Sequence, residues 1–340
     1  MSSPSWTPAA TTCACSSRAN LVADHGDEPL ERFRERFPRL RSTLYDVATV
    51  DLDEVLDGAD LVLVHEWNAP DLVQRVGERR KRGSFRLLFH DTHHRAVTAR
   101  AEMARYDLSG YDGVLAFGRV LRDVYLERGW AERAWTWHEA ADTRVFRPLT
   151  GDGPRRDLVW VGNWGDGERT AELEEFLLEP ARGLGLSGTV HGVRYPEEAR
   201  RAVARSGLEY RGWLPNADAA RVFAAHRVTV HVPRRPYVRA LPGIPTIRPF
   251  EALACGIPLV SAPWDDVEGL FTAGEDYLLA RDGAEMRNAL EAVLHDDELA
   301  ASLASHGLET IRARHTCAHR VDELLAICAE LDDRPEEAAA

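Results

Sequence analysis

The stretch that decides the fold is Leu241-Pro-Gly-Ile-Pro-Thr-Ile-Arg-Pro-Phe-Glu-Ala-Leu-Ala-Cys-Gly-Ile-Pro-Leu-Val-Ser-Ala262. Two prolines and a glycine among its first five residues exclude an ordinary helix or a central strand, so the stretch begins as a loop. A short helix is predicted over 249–255, because Pro249 suits a first turn and Gly256 suits the position just past a helix end. A buried strand over 258–261 completes a loop–helix–strand unit.

The predicted helix carries one carboxylate, Glu251, in an otherwise apolar interior. A buried glutamate costs stability unless another group pairs with it. The loop before the helix directs backbone N–H groups from a helix start, which is where anions bind. Our hypothesis is that this loop holds a phosphate and that Glu251 holds a sugar hydroxyl.

The size and charge of the chain limit what it can bind. Its 340 residues are too many for one typical core, and 44% are hydrophobic and 29% charged, so a soluble protein of two domains is expected. The net charge of −13 argues against nucleic acid or an anionic membrane as a main partner. A small phosphorylated ligand stays compatible with it, because local arginines can still bind one.

Cysteine usage and the absence of targeting patterns predict a cytoplasmic location. No apolar run of about 18 residues predicts a membrane span, and the N-terminus lacks a basic start followed by an apolar run. The cysteines are odd in number and have no zinc-like spacing, which favours reduced thiols. They stand at 13, 15, 255, 317 and 328.

Short apolar stretches alternate with helical patterns, which predicts βαβ units and parallel sheets. Strands are predicted in the first half at Leu44–Val50, Leu61–His65, Phe85–His90, Val114–Phe117 and Ala134–His138. In the second half they are predicted at Leu158–Gly162, Gly188–Val193, Glu209–Gly212, Val228–Val232, Pro258–Ser261 and Tyr277–Ala280. Helices are predicted between them, at about 28–40, 68–81, 93–106, 119–129, 168–182, 196–206, 216–225, 249–255, 283–295 and 296–330.

The fold class expected from this alternation is α/β, with two Rossmann-like, doubly wound domains facing a central cleft, where ligands tend to bind. The predicted segments are a disordered or degraded lead at 1–24, an N-terminal domain at 25–150, a C-terminal domain at 151–312, a helix at 313–330 in a position to pack back on the first domain, and a tail at 331–340.

A glycine-rich turn opens the second half. The predicted strand ends at Gly162 and Asn163, and the chain passes through Gly165 before a helix that begins near Arg169. Glycines let the backbone approach a ligand, and a helix start favours phosphate. The spacing is neither the dinucleotide fingerprint nor a phosphate loop ending in Gly-Lys-Ser/Thr, so a nicotinamide cofactor and ATP hydrolysis are not expected. The alternative is a plain strand–helix turn with a surface arginine.

Two polar clusters follow strands in the first half. The stretch His90–Arg95 contains three histidines and an aspartate, but adjacent His93 and His94 should point apart, so a helix cap is favoured over a metal site. His90 or Asp91 is expected to face a ligand. His65-Glu66 follows the preceding strand and either lines the cleft or caps a helix.

Two further stretches carry candidate side chains. His138-Glu-Ala-Ala-Asp142 resembles a zinc-protease motif with Asp in place of the second His, but it has no long helix to carry it, so a zinc protease is not expected. The basic run Arg234–Arg239 is either a solvated loop or a contact for phosphate or acceptor.

The second half resembles the nucleotide-sugar-binding domain of GT-B glycosyltransferases of the group 1 type, family 4-like, and is most similar to their spore-maturation (CgeB-like) branch. The similarity covers about 155–328 and extends into the first half through Leu115–Phe117, Gly129 and Asp142–Pro148. The motifs that carry it are Val161-Gly-Asn163, Arg211-Gly-Trp-Leu-Pro215, Arg248-Pro-Phe-Glu-Ala-Leu-Ala-Cys-Gly256, Gly274-Glu-Asp-Tyr277 and Arg320-Val321.

The resemblance implies roles for individual residues. Glu251 would hold the ribose hydroxyls of a nucleotide-sugar donor, Arg169 would face its diphosphate, and His90 or Asp91 would contact the transferred sugar. Together with the glycine turn it predicts a donor site made of Gly162, Asn163, Gly165, Arg169, Gly243, Ile244, Pro245, Thr246, Arg248 and Glu251. The candidate catalytic residues are His90, Asp91 and Arg169, and the acceptor-side candidates are His65, Glu66, His93 and His138.

The sequence departs from the family pattern in two places. Gly243 stands where many members carry a second glutamate, although the spore-maturation branch often lacks it. The first domain of the family usually opens with a strand and a glycine-rich loop, and residues 1–24 show neither, so an incomplete first domain is expected.

The expected function is transfer of a sugar from a nucleoside-diphosphate sugar to an unknown acceptor. Helix-start amides and arginines would stabilise the leaving diphosphate, so neither a metal nor another cofactor is expected. The resemblance implies retention of anomeric configuration, and no paired carboxylates of the glycoside-hydrolase kind stand out. The alternatives are an impaired homologue that only binds a nucleotide sugar, and a sugar-nucleotide epimerase.

Overall fold

The computed structural model describes residues 26–40, 45–151, 153–165 and 167–332. The expected lead at 1–24 and most of the expected tail lie outside these residues. The chain divides into two compact units. The first unit contains the chain up to Arg95, together with Ala99–Leu115 and Tyr125–Trp135, and the second contains Ala96–Thr98, Ala116–Val124 and Thr136 onward.

The first sheet has four strands in the order β1-β2-β3-β4. These are β1 (Leu61–His65), β2 (Arg86–Asp91), β3 (Gly113–Ala116) and β4 (Ala134–Thr136). β1 pairs with β2 in parallel, and His65 lies opposite His90, so the ends of both strands present polar side chains at one edge of the sheet. The helices are α1 (Glu28–Arg36), α2 (Leu52–Val55), α3 (Pro70–Arg80), α4 (Arg95–Thr98), α5 (Arg100–Met103) and α6 (Arg119–Glu127).

The second sheet has six parallel strands in the order β10-β9-β8-β5-β6-β7. They are β5 (Arg156–Val161), β6 (Gly188–His191), β7 (Leu208–Gly212), β8 (His226–His231), β9 (Leu259–Ser261) and β10 (Leu278–Leu279). The chain runs outward from β5 to β7 and returns to the other side of β5 at β8. The strand order therefore reverses between β5 and β8, and ligands of such sheets bind beyond the carboxyl ends of those strands.

The helices of the second unit pack against its sheet, and apolar side chains of helices and strands together form the core. They are α7 (Thr170–Leu173), continued by a π-helical turn (Glu174–Leu178) and α8 (Glu179–Leu184), then α9 (Glu197–Arg205), α10 (Asn216–Ala224), α11 (Arg235–Ala240), α12 (Ile247–Ala254), α13 (Gly283–His295), α14 (Asp297–Arg314) and α15 (Cys317–Asp332). The core includes Leu158, Trp160, Val190, Val230 and Met286, all at most 2% exposed. None of the described helices is both long and apolar enough to cross a membrane.

The strand predicted over Leu44–Val50 is wrong for its described part, residues 45–50, which form turns. Asp46 caps the backbone N–H of Ala48 at 2.7 Å. Arg75 donates to the carbonyl oxygens of Val47 and Val50 at 2.6 and 2.9 Å. A side chain 25 or more positions away thus satisfies the backbone groups that a neighbouring strand would have bound.

One predicted helix and one stretch considered as a loop also need correction. The helix expected over 93–106 is two single turns, α4 and α5, which meet at Ala99, a residue outside the helical region (φ −132°, ψ 51°). The basic run Arg234–Arg239, considered as a loop, contains α11. Pro236 suits the first turn of that helix because its missing N–H would be unpaired there in any case.

Candidate functional site

The switch point of the second sheet is lined by the loop after β5 and the loop after β8. The β5 loop contains Gly162, Asn163 and Gly165, and Arg169 immediately precedes α7. Asn163 ties this loop to the next one along the sheet edge, because its Oδ1 accepts from the backbone N–H of Val193 at 3.1 Å. The glycine turn predicted from the sequence therefore borders the site that the topology selects.

Arg169 is half-buried, with its Nε directed into the protein. Its two terminal nitrogens donate to the carbonyl oxygens of Val232 at 3.0 Å and Asn163 at 2.6 Å, which joins the β5 and β8 loops. The guanidinium stacks on Trp160, 5.0 Å from the ring centroid. Gly165 makes room for it, since a Cβ at that position would lie 2.9 Å from the Arg169 Cγ. The buried Nε has no hydrogen-bond partner among the described residues.

Other arginines converge on Arg169. Burial, and then the charges of Arg234 and Arg248, lower the pKa of Arg169 to about 10. Arg234 pairs with Glu168 at 3.0 Å and Arg235 with Glu172 at 3.0 Å, and Arg248 pairs with a carboxylate as described below. Arg169 itself has no carboxylate of the described residues within ion-pair distance. A buried cation that repels its neighbours is the kind of site that binds an anion.

The loop from Gly243 to Thr246 leads into α12. Gly243, Ile244 and Pro245 are buried, and the Gly243 N–H donates to the Asp265 carbonyl at 2.6 Å. Thr246 precedes the helix with a φ of +64°, a backbone conformation that residues other than glycine rarely adopt. Strain of this kind costs about 1–3 kcal/mol and persists at functional sites.

Glu251 has the partner that its burial requires. It is 4% exposed, and Arg248, one turn earlier on α12, pairs with its Oε2. Burial raises the pKa of Glu251, and Arg248 opposes that rise. Because Arg248 already pairs with Glu251, a ligand hydroxyl bound by Glu251 would share the carboxylate with the arginine.

A buried histidine stands behind this loop. His231 ends β8 and its Nδ1 lies 2.9 Å from the Ser261 hydroxyl at the end of β9. Burial, with Arg169 as a second cause, lowers the pKa of His231 to about 3, so the ring is neutral at physiological pH. No sequence motif singled out His231, but its place at the carboxyl end of a strand beside the switch point is a usable signal.

Glu268 fills the space beside Gly243. A Cβ at position 243 would lie 2.8 Å from the Cγ and Oε1 of Glu268. Glu268 Oε1 accepts the backbone N–H of Arg119 at 2.7 Å, and Oε2 lies 3.0 Å from His138 Nε2. The Glu268 carboxylate thus lies beside Gly243, the position at which the sequence lacks the second glutamate of the family pattern. His138, an expected acceptor-side residue, contacts this carboxylate within the second unit.

A cavity of about 1020 Å³ opens beside the β5 loop. It lies between the starts of α7 and α9, and its walls include Trp164, Thr170, Tyr195 and Arg235. Gly167 also lines it, so the cavity adjoins the arginine cluster. Two sequence candidates border it, the glycine turn and, through Arg235, the basic run Arg234–Arg239.

The polar residues of the first unit come together at the ends of β1 and β2. Asp91 is fully buried. Its Oδ2 accepts from the Tyr125 hydroxyl at 2.7 Å and its Oδ1 from the His93 N–H at 2.9 Å. Burial and then the nearby Glu66 carboxylate raise the pKa of Asp91 to about 7. Tyr125 lies 34 positions away, and nothing in the sequence pointed to it.

The histidines of this edge differ from the expectation in one respect. His93 and His94 do not point apart, because their ring centroids are 4.0 Å from each other; the chain turns here instead of continuing as a strand. Among the described residues no group of three or more His, Cys, Asp or Glu is arranged to hold a metal ion. Burial lowers the pKa of His90 to about 3, with His65 as a second cause.

The two parallel α/β sheets and the switch-point site define the class of this protein, which has the GT-B fold of glycosyltransferases. Residues 169–326 match the family described as Glycosyl transferase-like. The matched stretch contains Arg169, the loop at 243–246 and Glu251.

Solved structures share the fold at low sequence identity. Sucrose-phosphate synthase from Thermosynechococcus elongatus matches with a TM-score of 0.63 and 17% identity, over 86% of this chain and 84% of its own. Anabaena HepE in complex with UDP and glucose matches with a TM-score of 0.66 and 13% identity, over 88% of each chain. T4 phage BGT in complex with UDP and Mn²⁺ matches with a TM-score of 0.57 and 14% identity, over 86% and 90%. No curated protein sequence matches the chain significantly.

Proposed function

We propose that the chain transfers a sugar from a nucleoside-diphosphate sugar, bound at the switch point of the second unit, to an acceptor. The observation that carries the proposal is Arg169, a guanidinium with two carbonyl partners, no carboxylate partner among the described residues and two other arginines acting on it. A diphosphate supplies the negatively charged partner that Arg169 lacks among the described residues.

The remaining donor contacts follow from the same edge of the sheet. We assign the loop at 243–246 to the sugar and diphosphate, and Glu251 to the ribose hydroxyls. A ribose hydroxyl would donate to Glu251, whose carboxylate Arg248 already holds in place. UDP is bound in the structures of HepE and BGT, which supports a nucleoside diphosphate as the donor's leaving group.

We propose that the transfer needs no metal. The leaving diphosphate gains negative charge as the glycosidic bond breaks, and preformed cations lower the energy of that state. Arg169, Arg234 and Arg248 supply such charge at the switch point. The BGT structure contains Mn²⁺, so the direct test is donor turnover in EDTA compared with turnover in Mn²⁺.

Finer assignments belong to the same proposal. Glycine at 243 favours the spore-maturation branch. Thiols at Cys255 and Cys317 that form no disulfide support a cytoplasmic location. Retention of anomeric configuration, which the resemblance implies, needs no side-chain base on the acceptor, and the anomeric proton of the product reports it directly.

The test is a panel of nucleoside diphosphates and their sugars in a thermal-shift assay, followed by turnover with each compound that stabilises the protein. We expect one nucleoside-diphosphate sugar to raise the melting temperature and to be transferred or hydrolysed, and Glu251→Ala to lose both effects. Stabilisation without turnover would favour the binding-only homologue. Conversion of the donor sugar to its epimer would favour an epimerase. No stabilisation by any member would refute donor binding.

A further inference from the structure

A histidine–carboxylate pair lies beside the loop at 243–246, within the second unit. His138 follows β4, and Glu268 belongs to the segment between β9 and β10. Nε2 of His138 lies 3.0 Å from Oε2 of Glu268, and the two side chains are 18% and 7% exposed. Because a carboxylate only accepts hydrogen bonds, Nε2 carries the proton in this contact.

The Glu268 carboxylate is fixed in its position by the backbone around it. Its Oε1 accepts the N–H of Arg119 at 2.7 Å. Gly243 and Gly118 leave room for it, since a Cβ at these positions would lie 2.8 and 3.3 Å from Oε1, respectively. The second oxygen, Oε2, is left to hold the His138 ring and to determine which of its nitrogens is protonated.

The other nitrogen of the His138 ring is open. Nδ1 has no hydrogen-bond partner among the described residues, and solvent reaches it. Since Nε2 carries the proton, Nδ1 presents a lone pair. A ring that a nearly buried carboxylate holds in one orientation can therefore accept a hydrogen bond from a hydroxyl group of a ligand.

The pair lies next to the backbone that we assigned to the donor's sugar and diphosphate. The Gly243 N–H donates to the Asp265 carbonyl at 2.6 Å, so the segment that carries Glu268 is hydrogen-bonded to that loop. At its other end the loop reaches α12 and Arg248, which acts electrostatically on Arg169. If the diphosphate occupies the arginine end of the loop, the Gly243 end is left for the transferred sugar.

We propose that His138 binds a hydroxyl of the transferred sugar through Nδ1, with Glu268 as the residue that positions its ring. The proposal rests on the proposed function and names the part of the donor that the pair recognises. The pair favours sugars that carry a hydroxyl at this point over the corresponding deoxy sugars. The hydroxyl donates a hydrogen bond and keeps its proton, so the contact is compatible with retention of anomeric configuration. It uses residues of the second unit alone.

Deoxy donors test the hydrogen bond itself. The probes are UDP, UDP-glucose and analogues of UDP-glucose in which hydrogen replaces one sugar hydroxyl at a time; where the thermal-shift panel selects another nucleoside-diphosphate sugar, that compound and its diphosphate replace them. Isothermal titration measures each affinity. We expect one hydroxyl whose removal weakens binding to the wild-type protein by about 3- to 10-fold.

The variant His138→Ala should show a loss specific to the sugar. We expect it to bind UDP as the wild-type protein does, to bind UDP-glucose about 3- to 10-fold more weakly, and to be insensitive to removal of the hydroxyl that matters to the wild-type protein. The control is His306→Ala, which removes an exposed histidine and should keep the wild-type pattern.

The variant Glu268→Gln separates positioning from packing. Glutamine keeps the size, and its oxygen still accepts the Arg119 N–H, but its amide donates to Nε2 of His138, so the ring proton moves to Nδ1. Fluorine accepts a hydrogen bond and never donates one. The wild-type protein should therefore bind the fluoro analogue at this position more weakly than the deoxy analogue, and Glu268→Gln should abolish or reverse that preference. A glutamate that serves only the fold would change the melting temperature and leave the preference as it is.

The outcomes separate this proposal from the one on which it rests. A wild-type protein that binds no nucleoside diphosphate refutes the proposed function. A wild-type protein that binds a diphosphate but none of its sugars, or that is insensitive to the loss of every sugar hydroxyl, refutes the contact and leaves the diphosphate site intact. A His138→Ala variant with the wild-type pattern of losses does the same. If His138→Ala has lost its circular-dichroism spectrum, His138→Phe keeps a ring in its place, and the same criteria apply to it.

Discussion

Replacing Arg169 with methionine separates its role in the ligand site from its role in the fold. Methionine keeps much of the apolar stem and can still pack against Trp160. The change removes the charge and the two hydrogen bonds to Val232 and Asn163. It also removes the repulsion with Arg234 and Arg248.

The opposing effects on the free energy of unfolding partly cancel. The pKa of Arg169 is lowered to about 10, which corresponds to about 3 kcal/mol against the charged form. Hydrogen bonds from a charged donor contribute about 1.5–3 kcal/mol each. The unliganded variant should therefore lose no more than about 3 kcal/mol, whereas each lost contact to a diphosphate should weaken binding by roughly 10- to 150-fold.

Urea unfolding gives the stability and isothermal titration with UDP gives the affinity. The matched control is Arg200→Met, since Arg200 also stacks on an aromatic ring, at 5.3 Å from the Tyr210 centroid, and donates to the Tyr195 carbonyl at 3.0 Å. We expect weaker UDP binding in Arg169→Met alone. Equal UDP affinity in both variants, or complete unfolding of Arg169→Met, would show that this arginine serves only the fold.

Three further predictions concern stability and strain. Between about pH 4 and 7 the folded protein holds the Asp91 proton more tightly than the unfolded chain, because the pKa of Asp91 is raised to about 7. The free energy of unfolding should therefore fall as pH rises through that window, by at most about 4 kcal/mol. Urea unfolding at several pH values measures this slope, and Asp91→Asn should flatten it. Thr246→Gly should raise the melting temperature by relieving about 1 kcal/mol of strain and should weaken UDP binding, and an unchanged melting temperature would argue against strain at φ +64°. Gly192→Ala would place a Cβ 2.1 Å from the Gly162 carbonyl oxygen, so it should destabilise the second unit and weaken UDP binding; wild-type behaviour on both measures would contradict this.

The sequence was sufficient for the alternation of strands and helices and for the location of the glycine turn. These depend on local patterns, such as the apolar run that forms β8 and the proline and glycine that bound α12. The prediction that Glu251 needs a partner was also local, because Arg248 is one helical turn away.

What the sequence could not supply are contacts between distant positions. The carbonyl of Val232 that Arg169 binds is 63 residues away, and Asp91 and Tyr125 are 34 apart. Residues 45–50 have an apolar pattern typical of a strand, but the Arg75 side chain binds their carbonyl oxygens. The assigned roles of Glu251, of the loop at 243–246 and of the first-unit histidines stay predictions.

The central claim is that the arginine cluster at the switch point binds a diphosphate. The most direct measurement compares the affinities of UDP and UMP for the wild-type protein and for Arg169→Met, in EDTA. We expect the wild-type protein to bind UDP more tightly than UMP, and Arg169→Met to lose most of this difference while its affinity for UMP changes little. The same preference for UDP in both proteins, or no binding of either nucleotide, would contradict the claim.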